Sequence, residues 1–266
     1  MEMAIFFNKK LGETPLGCLD RFRLEHPEYA DLPGTYAGRL DPAAEGEMLF
    51  LFGDLVHIKD EYLKHDKIYS AAFAFGIATD TGDLLGVPIE YPRIPGNENV
   101  GTEAVDRDPD QKDSIQNIDE EKRNQIREKI ISLKQQMYPA YSSKPVGGKP
   151  LFMHTREGNN VVRPTRTMKV NSCDEGVISQ VAQQVLLERV EKICDLVQGD
   201  FRQKEIVEAW RKAIRSGDIP TAIPILTFVL DVSSGTYIRA LTETISEVVG
   251  VPVVLFSLHR LKIKNN

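Results

Sequence analysis

The chain has few cysteines: three among 266 residues, Cys18, Cys173 and Cys194. Their odd number and wide spacing suggest neither a disulfide framework nor a metal site. We therefore expect reduced thiols in the core of a cytosolic protein. The histidines are equally few and also lack metal-ligand spacing, so we interpret them as surface or packing residues: His26, His57, His65, His154 and His259.

Long hydrophobic runs are missing as well. No apolar stretch approaches the roughly 20 residues that a membrane helix needs. The first ten residues, MEMAIFFNKK, carry their lysines after a short apolar run, which is the reverse of the order in a signal peptide. We expect a cytoplasmic protein that makes no use of a membrane. Its 41% apolar and 27% charged residues are ordinary for a globular fold.

The chain lacks the excess of positive charge that is common in nucleic-acid-binding proteins, because its net charge is −6. The charge is nevertheless segregated. Residues 97–123 hold nine Asp or Glu against four Lys or Arg, whereas residues 142–170 hold six Lys or Arg against one Glu. The basic stretch is either a solvated face or a binding surface, and net charge alone does not separate the two.

Hydrophobic periodicity predicts a mixture of strands and helices. Aromatic and apolar runs predict strands: residues 68–78, 223–234 and 251–263. Apolar positions at helical spacing predict helices: residues 126 to about 137, 177–200, 205–217 and 236–250. We expect Thr236 to cap the last helix. For the helix predicted at residues 177–200, an incoming strand before Gln180 is an alternative. This mixed order predicts an α+β fold with a mostly antiparallel central sheet flanked by helices.

We expect one domain over residues 1–266 with two unusual segments inside it. Residues 92–125 are polar, acidic and poor in large apolar side chains, which predicts a mobile insertion. Residues 140–170 contain the basic stretch. The TDTGDLLG segment at residues 79–86 predicts a turn-rich loop.

The segment YAGRLDPAAEGEML, residues 36–49, places a carboxylate directly before a proline. Asp is a good helix N-cap and Pro is favoured at the first helical position, so taken alone Asp41 and Pro42 predict a helix start. A catalytic carboxylate is the alternative, and only the rest of the chain favours it.

Four segments and a closing motif occur in the order found in a known family: GRLDPAAEG, KIYSAAFAFGIATDTGDLLG, YPAYSSKPVGGKPLFMHTREG, SSGTYIRALTETISEVVG and LHRL. Together they resemble the TruB family of tRNA pseudouridine synthases. That family has G-x-L-D-P, then K-x-Y followed by G-x-x-T-D-T-x-D-x-x-G, then P-x-Y-S-[AS]-x-K, G-T-Y-I-R and L-x-R. The resemblance runs from about Asn8 to Leu261 and implies the pseudouridine synthase fold.

The resemblance also implies an activity, because the family isomerises uridine to pseudouridine at position 55 of the tRNA T-loop. The base is flipped out, and its glycosidic bond is broken at N1 and remade at C5. Asp41 is implied to be the essential nucleophile or acid–base group, with Arg239 as its paired cation. Tyr69 is implied to stack on the target base and to be placed to move a proton. The alternative for Arg239 is an arginine on a helix surface, and the alternative for Tyr69 is a strand aromatic in the core.

Further residues match the family's substrate-binding and RNA-binding positions. Asp83 matches a polar group near the flipped nucleotide, although turn chemistry explains it equally well. Lys and Arg of the basic segment are implied to neutralise phosphates without reading sequence. The implied substrate- and RNA-binding residues are Lys9, Tyr36, Arg39, Asp83, Lys144, Lys149, Arg156, Arg163, Arg166, Tyr237 and Leu258. Lys169 belongs to the same basic stretch.

The sequence departs from the family pattern in three places. Tyr36 stands where a histidine is usual, Lys10 stands where a proline is usual, and after Asn266 we expect no C-terminal PUA domain. The resemblance implies no metal and no organic cofactor, and it implies the T-arm stem-loop of tRNA as partner of a monomer. A non-catalytic tRNA-binding or tRNA-folding protein on the same scaffold, and a synthase for another RNA, are the alternatives.

Overall fold

The computed structural model describes residues 2–89 and 118–264. Their strands are β1 (Met3–Lys9), β2 (Gly34–Tyr36), β3 (Ala44–Phe52), β4 (Lys67–Phe75), β5 (Ala78–Thr79), β6 (Pro88–Ile89), β7 (Gln135–Met137), β8 (Pro145–Val146), β9 (Lys149–Pro150), β10 (Thr165–Thr167), β11 (Val170–Cys173), β12 (Val177–Ala182), β13 (Ala222–Val232) and β14 (Val253–Ile263). Their α-helices are α1 (Pro15–Glu25), α2 (Lys59–Leu63), α3 (Glu120–Ser132), α4 (Leu151–Arg156), α5 (Gln183–Leu196), α6 (Gln203–Arg215) and α7 (Leu241–Val249).

Within the described residues, eight strands form one central sheet, six of them in the order β1–β3–β14–β4–β13–β11. The other two are β2, which pairs with β3, and β12, which pairs with β13 beside β11. Every pair is antiparallel except β3 with β14, which is parallel. The prediction of an α+β fold with a mostly antiparallel sheet is therefore confirmed.

Strand β4 shows why this sheet is buried on both faces. Its side chains alternate, with Phe73 and Phe75 in one apolar cluster and Ala72 and Ala74 in another. Successive side chains of a strand point to opposite faces, so large residues fill one core while small residues let helices approach the other face.

Helices cover the two faces of the sheet. Helices α1, α3 and α7 contribute to the cluster around Phe73, for example through Phe22, Ile126 and Ile245. Helices α5 and α6 contribute to the cluster around Ala74. Each helix does so through residues four positions apart, which lie on one helical face: Leu186 and Val190 in α5, Ile206 and Trp210 in α6. The three cysteine thiols are buried and unbridged, as predicted.

Several predicted elements are confirmed. The aromatic run KIYSAAFAF forms β4, and the two later apolar runs form β13 and β14. The two middle helices form as α5 and α6, and the strand considered before Gln180 is present as β12. The TDTGDLLG segment is a series of turns.

Three local predictions are wrong. Asp41 and Pro42 start no helix, because the Asp41 carbonyl accepts from Ala44 N–H at 3.0 Å in a turn that leads into β3. Thr236 does not cap α7: its hydroxyl donates to the Ser233 carbonyl at 2.8 Å, and a 3₁₀ turn, Ile238–Ala240, precedes the helix. Helix α3 ends at Ser132 instead of near residue 137.

The predicted acidic insertion, 92–125, lies largely outside the described residues. Its last part, from Glu120, forms the first turns of α3, where Asp119 caps the helix by accepting from Lys122 N–H at 2.8 Å. In the described part of the chain, none of the helices has the length and apolar character needed to cross a membrane.

Candidate active site

Asp41 lies in the turn before β3, at the point where β3 and β14 run side by side. Gly46, with φ +114°, makes that close approach possible. A Cβ at residue 46 would lie 2.3 Å from the Arg260 carbonyl oxygen, so a larger residue would push the strands apart. The sheet thus fixes the base of the turn that carries the Asp41 carboxylate.

Arg239 comes from the 3₁₀ turn after β13 and meets Asp41 across 198 positions of sequence. Its Nη2 and Nε lie 2.9 and 3.1 Å from Asp41 Oδ2. Its Nη1 donates to the Thr81 carbonyl at 2.8 Å, and Nη2 also donates to the Tyr141 carbonyl at 3.2 Å. Contacts from three separate segments therefore fix the plane of this guanidinium.

Asp83 is the second carboxylate of the site, and its Oδ2 lies 3.3 Å from Arg239 Nε. Its Oδ1 accepts from the Thr81 hydroxyl at 2.8 Å and from Leu85 N–H at 3.0 Å. Burial raises the pKa of the Asp83 carboxyl, and the nearby Arg239 charge opposes that rise. The Asp83 carboxylate therefore pairs with the arginine and also stabilises the turn formed by residues 81–85.

The three charges differ in exposure. The Asp41 side chain is 44% exposed, whereas those of Arg239 and Asp83 are 7% and 10% exposed. Burial lowers the pKa of the guanidinium, but the charges of Asp41 and Asp83 outweigh burial and raise it. A buried, permanently charged arginine thus orients one carboxylate, Asp41, that is open to solvent.

Tyr237 directly precedes the 3₁₀ turn that carries Arg239, and Gln136 holds its backbone. Gln136 accepts from Tyr237 N–H at 2.6 Å and donates to the Tyr237 carbonyl at 3.1 Å. Burial, and then the negative charge of Asp41, raise the pKa of the Tyr237 hydroxyl. The Tyr138 ring contacts Tyr237 edge-to-face, with centroids 5.5 Å apart. The tyrosine is therefore fixed beside the Asp41 carboxylate.

A small cavity adjoins Asp41. Its volume is about 10 Å³, which is roughly the space of one water molecule. Its walls come from the Asp41 turn, the TDTGDLLG loop and β14: Asp41, Ala43, Ala44, Asp83, Leu84, Leu255, Phe256, Ser257 and Leu258. Three of the predicted site residues, Asp41, Asp83 and Leu258, therefore line one space, but that space is too small for a nucleobase.

Other predicted site residues do not line this cavity. Tyr69 is 6% exposed on β4, opposite Leu230 and Arg260, and packs in the core. Lys9 is 1% exposed, and its ammonium donates to the Ala44 carbonyl at 2.5 Å. Burial lowers the pKa of Lys9 to about 8. This placement favours a structural role for Lys9, which holds the segment after Asp41, over the predicted contact with RNA.

Tyr36 and Arg39 flank the Asp41 turn. The Lys59 ammonium lies 5.1 Å from the centroid of the half-buried Tyr36 ring. The Arg39 side chain is exposed, and its carbonyl accepts from Arg260 Nη1 at 3.1 Å. Arg260 is itself buried and also donates from Nε to the Glu47 carbonyl at 2.5 Å. It therefore holds both ends of the segment that carries Asp41.

The basic residues of the 140–170 segment fall into two groups. Lys149 pairs with Glu157, and Arg156 pairs with Asp200 at 3.2 Å. The remaining members have no carboxylate partner among the described residues, and they are Lys144, Arg163, Arg166 and Lys169.

Three members of the unpaired group lie around Tyr138. The Lys144 ammonium and the Arg166 guanidinium lie 5.3 and 5.8 Å from its ring centroid. Arg163 Nη1 donates to the Tyr138 carbonyl at 3.5 Å, and Arg166 Nη2 donates to the Ser234 carbonyl at 2.9 Å. Because Tyr138 touches Tyr237, this positive charge lies next to the Asp41 site.

Sequence reasoning missed the residues that support the site. Thr81 and Tyr141 were inside the recognised motifs but contact Arg239 through backbone carbonyls, which a residue of any type provides. Arg260 stands in the LHRL motif, and its burial was the missing signal. Gln136 lies in a segment predicted as helix, and no local sequence pattern indicates its hydrogen bonds with Tyr237. In residues 2–89 and 118–264, no group of three or more His, Cys, Asp or Glu could hold a metal ion.

Comparison with known proteins assigns this arrangement to a family. The sequence model described as TruB family pseudouridylate synthase (N terminal domain) matches residues 34–189, more than half of the chain.

Individual relatives extend the match. The tRNA pseudouridine synthase B of Levilactobacillus brevis is 24% identical over 260 residues, which are 96% of this chain and 64% of that protein. The protein of the same name from Latilactobacillus sakei is 24% identical over 262 residues, with 98% and 67% covered. The one from Xanthomonas euvesicatoria is 25% identical over 228 residues, with 86% and 53% covered. The chain thus spans about half to two thirds of the length of these relatives.

Solved structures with a similar backbone include a Cbf5-Nop10-Gar1 complex, with a TM-score of 0.43 and 15% identity over 98% of this chain and 48% of the other. An H/ACA RNP bound to a substrate RNA containing 2'-deoxyuridine gives a TM-score of 0.42 and 14% identity over 98% and 47%.

Proposed function

The chain belongs to the TruB family of pseudouridylate synthases, and on that premise we propose that it isomerises uridine to pseudouridine in tRNA, at position 55 of the T-loop. The N1–C1′ bond of the target uridine breaks and a C5–C1′ bond forms, while the C5 proton leaves and N1 gains a proton. Substrate and product are isomers, so the proposed reaction consumes no co-substrate. Because the substrate is a tRNA, the proposed place of action is the cytoplasm.

One observation carries the proposal: a half-exposed carboxylate, Asp41, held by a buried arginine, Arg239. A carboxylate that acts as nucleophile or base has to be charged, oriented and reachable. Arg239 supplies the opposite charge and fixes Oδ2 from two nitrogens, while the rest of the carboxylate stays open. A protein that only binds RNA has no use for a negative charge turned toward its anionic ligand.

The target base has to reach Asp41 from outside, because an RNA base is inaccessible within its stack. The cavity beside Asp41 is too small for it, so we propose that Leu258 and its neighbours separate as the flipped uracil enters. Tyr237 directly precedes the 3₁₀ turn that carries Arg239, and its backbone is held by Gln136. Aromatic and apolar walls of this kind suit a base that has left its stack.

Tyr69→Phe is expected to slow turnover by about a hundredfold or more, with tRNA affinity within about twofold of wild type. The phenyl ring keeps the core packing of a residue that is 6% exposed, so only the proposed proton transfer through the hydroxyl is lost. Single-turnover rates and filter-binding affinities measure the two effects. A wild-type rate in this variant would reduce Tyr69 to a core residue.

We propose that RNA is gripped by the unpaired cations, three of which lie around Tyr138. Lys144, Arg163, Arg166 and Lys169 can meet phosphates without losing an ion pair. Lys149 and Arg156 would first have to leave Glu157 and Asp200. Contacts of this type position the RNA and carry no sequence information.

Replacing Arg163 and Arg166 together by alanine is expected to weaken tRNA binding and to flatten the slope of log affinity against log salt by about one to two units. The matched control is the double alanine variant of Lys149 and Arg156, for which we expect a smaller change because both cations are already paired. The measurement is tRNA affinity between about 50 and 200 mM salt. Equal slopes in wild type and the Arg163/Arg166 variant would place the RNA elsewhere.

The proposed function is tested by tritium release from [5-³H]uridine-labelled tRNA, followed by mapping of the modified position. Release from one uridine of the T-loop is the expected result. Binding of tRNA with no release would make the chain a non-catalytic RNA-binding protein. Release that maps outside the T-loop would make it a synthase for another site.

A further inference from the structure

A helical hairpin separates the adjacent strands β12 and β13. It consists of α5, the loop of residues 197–202, and α6. The family match ends at residue 189, inside α5, so the loop and α6 lie outside the matched segment. The hairpin packs on the face of the sheet that carries Ala74. It also reaches the active site, because the buried Trp210 Nε1–H donates to the Gly86 carbonyl at 2.9 Å, at the end of the TDTGDLLG loop.

Arg202, at the end of the hairpin loop, has an unusual backbone. Its φ of 62° is positive, which no other non-glycine residue in the described part of the chain shows. Such a conformation lowers stability and persists only where surrounding contacts enforce it. Here the backbone N–H donates to Asp200 Oδ1 at 3.2 Å, the carbonyl accepts from Ile206 N–H at 2.9 Å, and the side chain adds contacts of its own. Nη1 lies 2.8 Å from Asp80 Oδ2, and the guanidinium carbon lies 4.8 Å from the Tyr141 ring centroid.

Arg202 Nη1 also lies 3.8 Å from Glu205 Oε1 within the hairpin, but its partners Asp80 and Tyr141 belong to the two segments that hold Arg239. Asp80 accepts from Val87 N–H at 2.9 Å, which closes the TDTGDLLG loop, and the next residue, Thr81, gives its carbonyl to Arg239 at 2.8 Å. Tyr141 gives its carbonyl to the same guanidinium at 3.2 Å. Arg202 thus contacts the side chains of Asp80 and Tyr141. The carbonyls of Thr81, next to Asp80, and of Tyr141 itself accept the hydrogen bonds from Arg239.

The ion pair is sheltered, since the Arg202 and Asp80 side chains are only 20% and 22% exposed. Burial, and then the Asp80 charge, raise the pKa of the Tyr141 hydroxyl, and the Arg202 charge opposes that rise. A sheltered, planar contact of this kind restrains position better than a surface ion pair between mobile side chains.

We propose that Arg202 is a positioning residue for the reaction: by clamping Asp80 and Tyr141 it holds the Thr81 and Tyr141 carbonyls, and through them the Arg239–Asp41 pair, in the reactive geometry. The inference rests on the proposed function, because it assigns a part in that reaction to the helical hairpin. It differs from a stabilising role in one respect that an experiment detects: removing the clamp lowers turnover without lowering stability in proportion.

Arg202→Gly separates the two roles. Glycine adopts a φ of 62° readily, so the variant loses the clamp and at the same time the unfavourable backbone conformation. We expect a melting temperature within a few degrees of wild type, a tRNA affinity within about threefold, and a kcat lower by about 10- to 100-fold, as small misplacements of reacting groups produce. Arg202→Lys keeps a charge for Asp80 and is expected to restore part of the rate.

The matched control is Arg211→Ala. This exposed arginine of α6 pairs with Glu191 at 2.6 Å in the same hairpin, remote from the clamp, and its loss is expected to leave kcat unchanged. A wild-type kcat in Arg202→Gly overturns the proposal, as does a kcat loss of the same size in Arg211→Ala. A lysine variant no faster than the glycine variant overturns the part assigned to the ion pair.

Hydrogen exchange followed by mass spectrometry tests the clamp without any turnover. We expect amides of residues 79–87 to exchange at least about threefold faster in Arg202→Gly than in wild type or in Arg211→Ala. Unchanged exchange overturns the clamp. If wild type itself releases no tritium from tRNA, the proposed function fails, and a faster exchange still identifies the clamp as a feature of the fold.

Discussion

Asp41→Asn is expected to lower single-turnover tritium release from tRNA by at least about 10³-fold, the size of effect that follows loss of an essential catalytic group. Asparagine matches the size of aspartate and still accepts from Arg239, but it carries no charge and is a poor nucleophile and base. The side chain is 44% exposed, so its ion pair with Arg239 contributes about 1 kcal/mol or less to stability. We therefore expect normal folding and tRNA affinity within about twofold of wild type.

The matched control for this prediction is Glu45→Gln. Glu45 lies four positions further on, is 43% exposed and faces His259 at 3.8 Å, so the change removes a neighbouring carboxylate outside the site. We expect its turnover to stay within about twofold of wild type. Turnover by Asp41→Asn above about one tenth of the wild-type rate would remove Asp41 from the proposed chemistry.

Arg239→Met is expected to lower the free energy of unfolding at neutral pH by about 3–5 kcal/mol, besides stopping turnover. Methionine fills much of the space, but Asp83 is left as a buried carboxylate without its cation. Breaking a buried ion pair from one side has this large effect because the remaining charge is uncompensated. Asp83 still accepts from the Thr81 hydroxyl and Leu85 N–H, which limits the loss without removing it. Urea denaturation of both proteins measures the difference.

The pH dependence of this variant follows from Asp83. Burial raises the pKa of its carboxyl, and Arg239 opposes that rise, so the variant raises the pKa further. Above the ordinary pKa of aspartate the folded variant then binds more protons than the unfolded chain, and its stability falls as pH rises. The destabilisation should therefore shrink as pH is lowered from about 7 toward about 4. The double variant with Asp83→Asn should recover most of it, and a pH-independent loss would contradict the buried charge as its cause.

The sequence predicted the parts of the fold that one periodicity determines. Strand β4 has large and small residues on alternate faces, and α5 has apolar residues on one side, so local spacing was sufficient. It failed at Asp41 and Pro42, whose local preference for a helix start is overridden because the following residues pair with β1 and β14. Thr236 failed for a local reason: its hydroxyl donates to the Ser233 carbonyl, and the 3₁₀ turn Ile238–Ala240 separates it from α7.

The site could be predicted only as far as the resemblance reached. It suggested the pairing of Asp41 with Arg239, two residues that no local pattern connects. Burial is a property of the folded chain, so the sequence could not show that Lys9 points inward or that Lys149 and Arg156 are already paired. The predicted roles of Tyr36, Tyr69 and the unpaired cations stay predictions.

The cavity beside Asp41, with room for about one water molecule, has a consequence for small ligands. A free nucleoside binds only the fraction of molecules in which the walls have separated, and its apparent dissociation constant rises by the inverse of that fraction. With one open molecule in about 100, the apparent affinity is about 100-fold weaker than the intrinsic one. A polynucleotide offsets this deficit with phosphate contacts made outside the cavity, near Tyr138. Under the proposed function, the closed walls therefore keep the binding of a free nucleoside weak, and the phosphate contacts let a polynucleotide bind nonetheless.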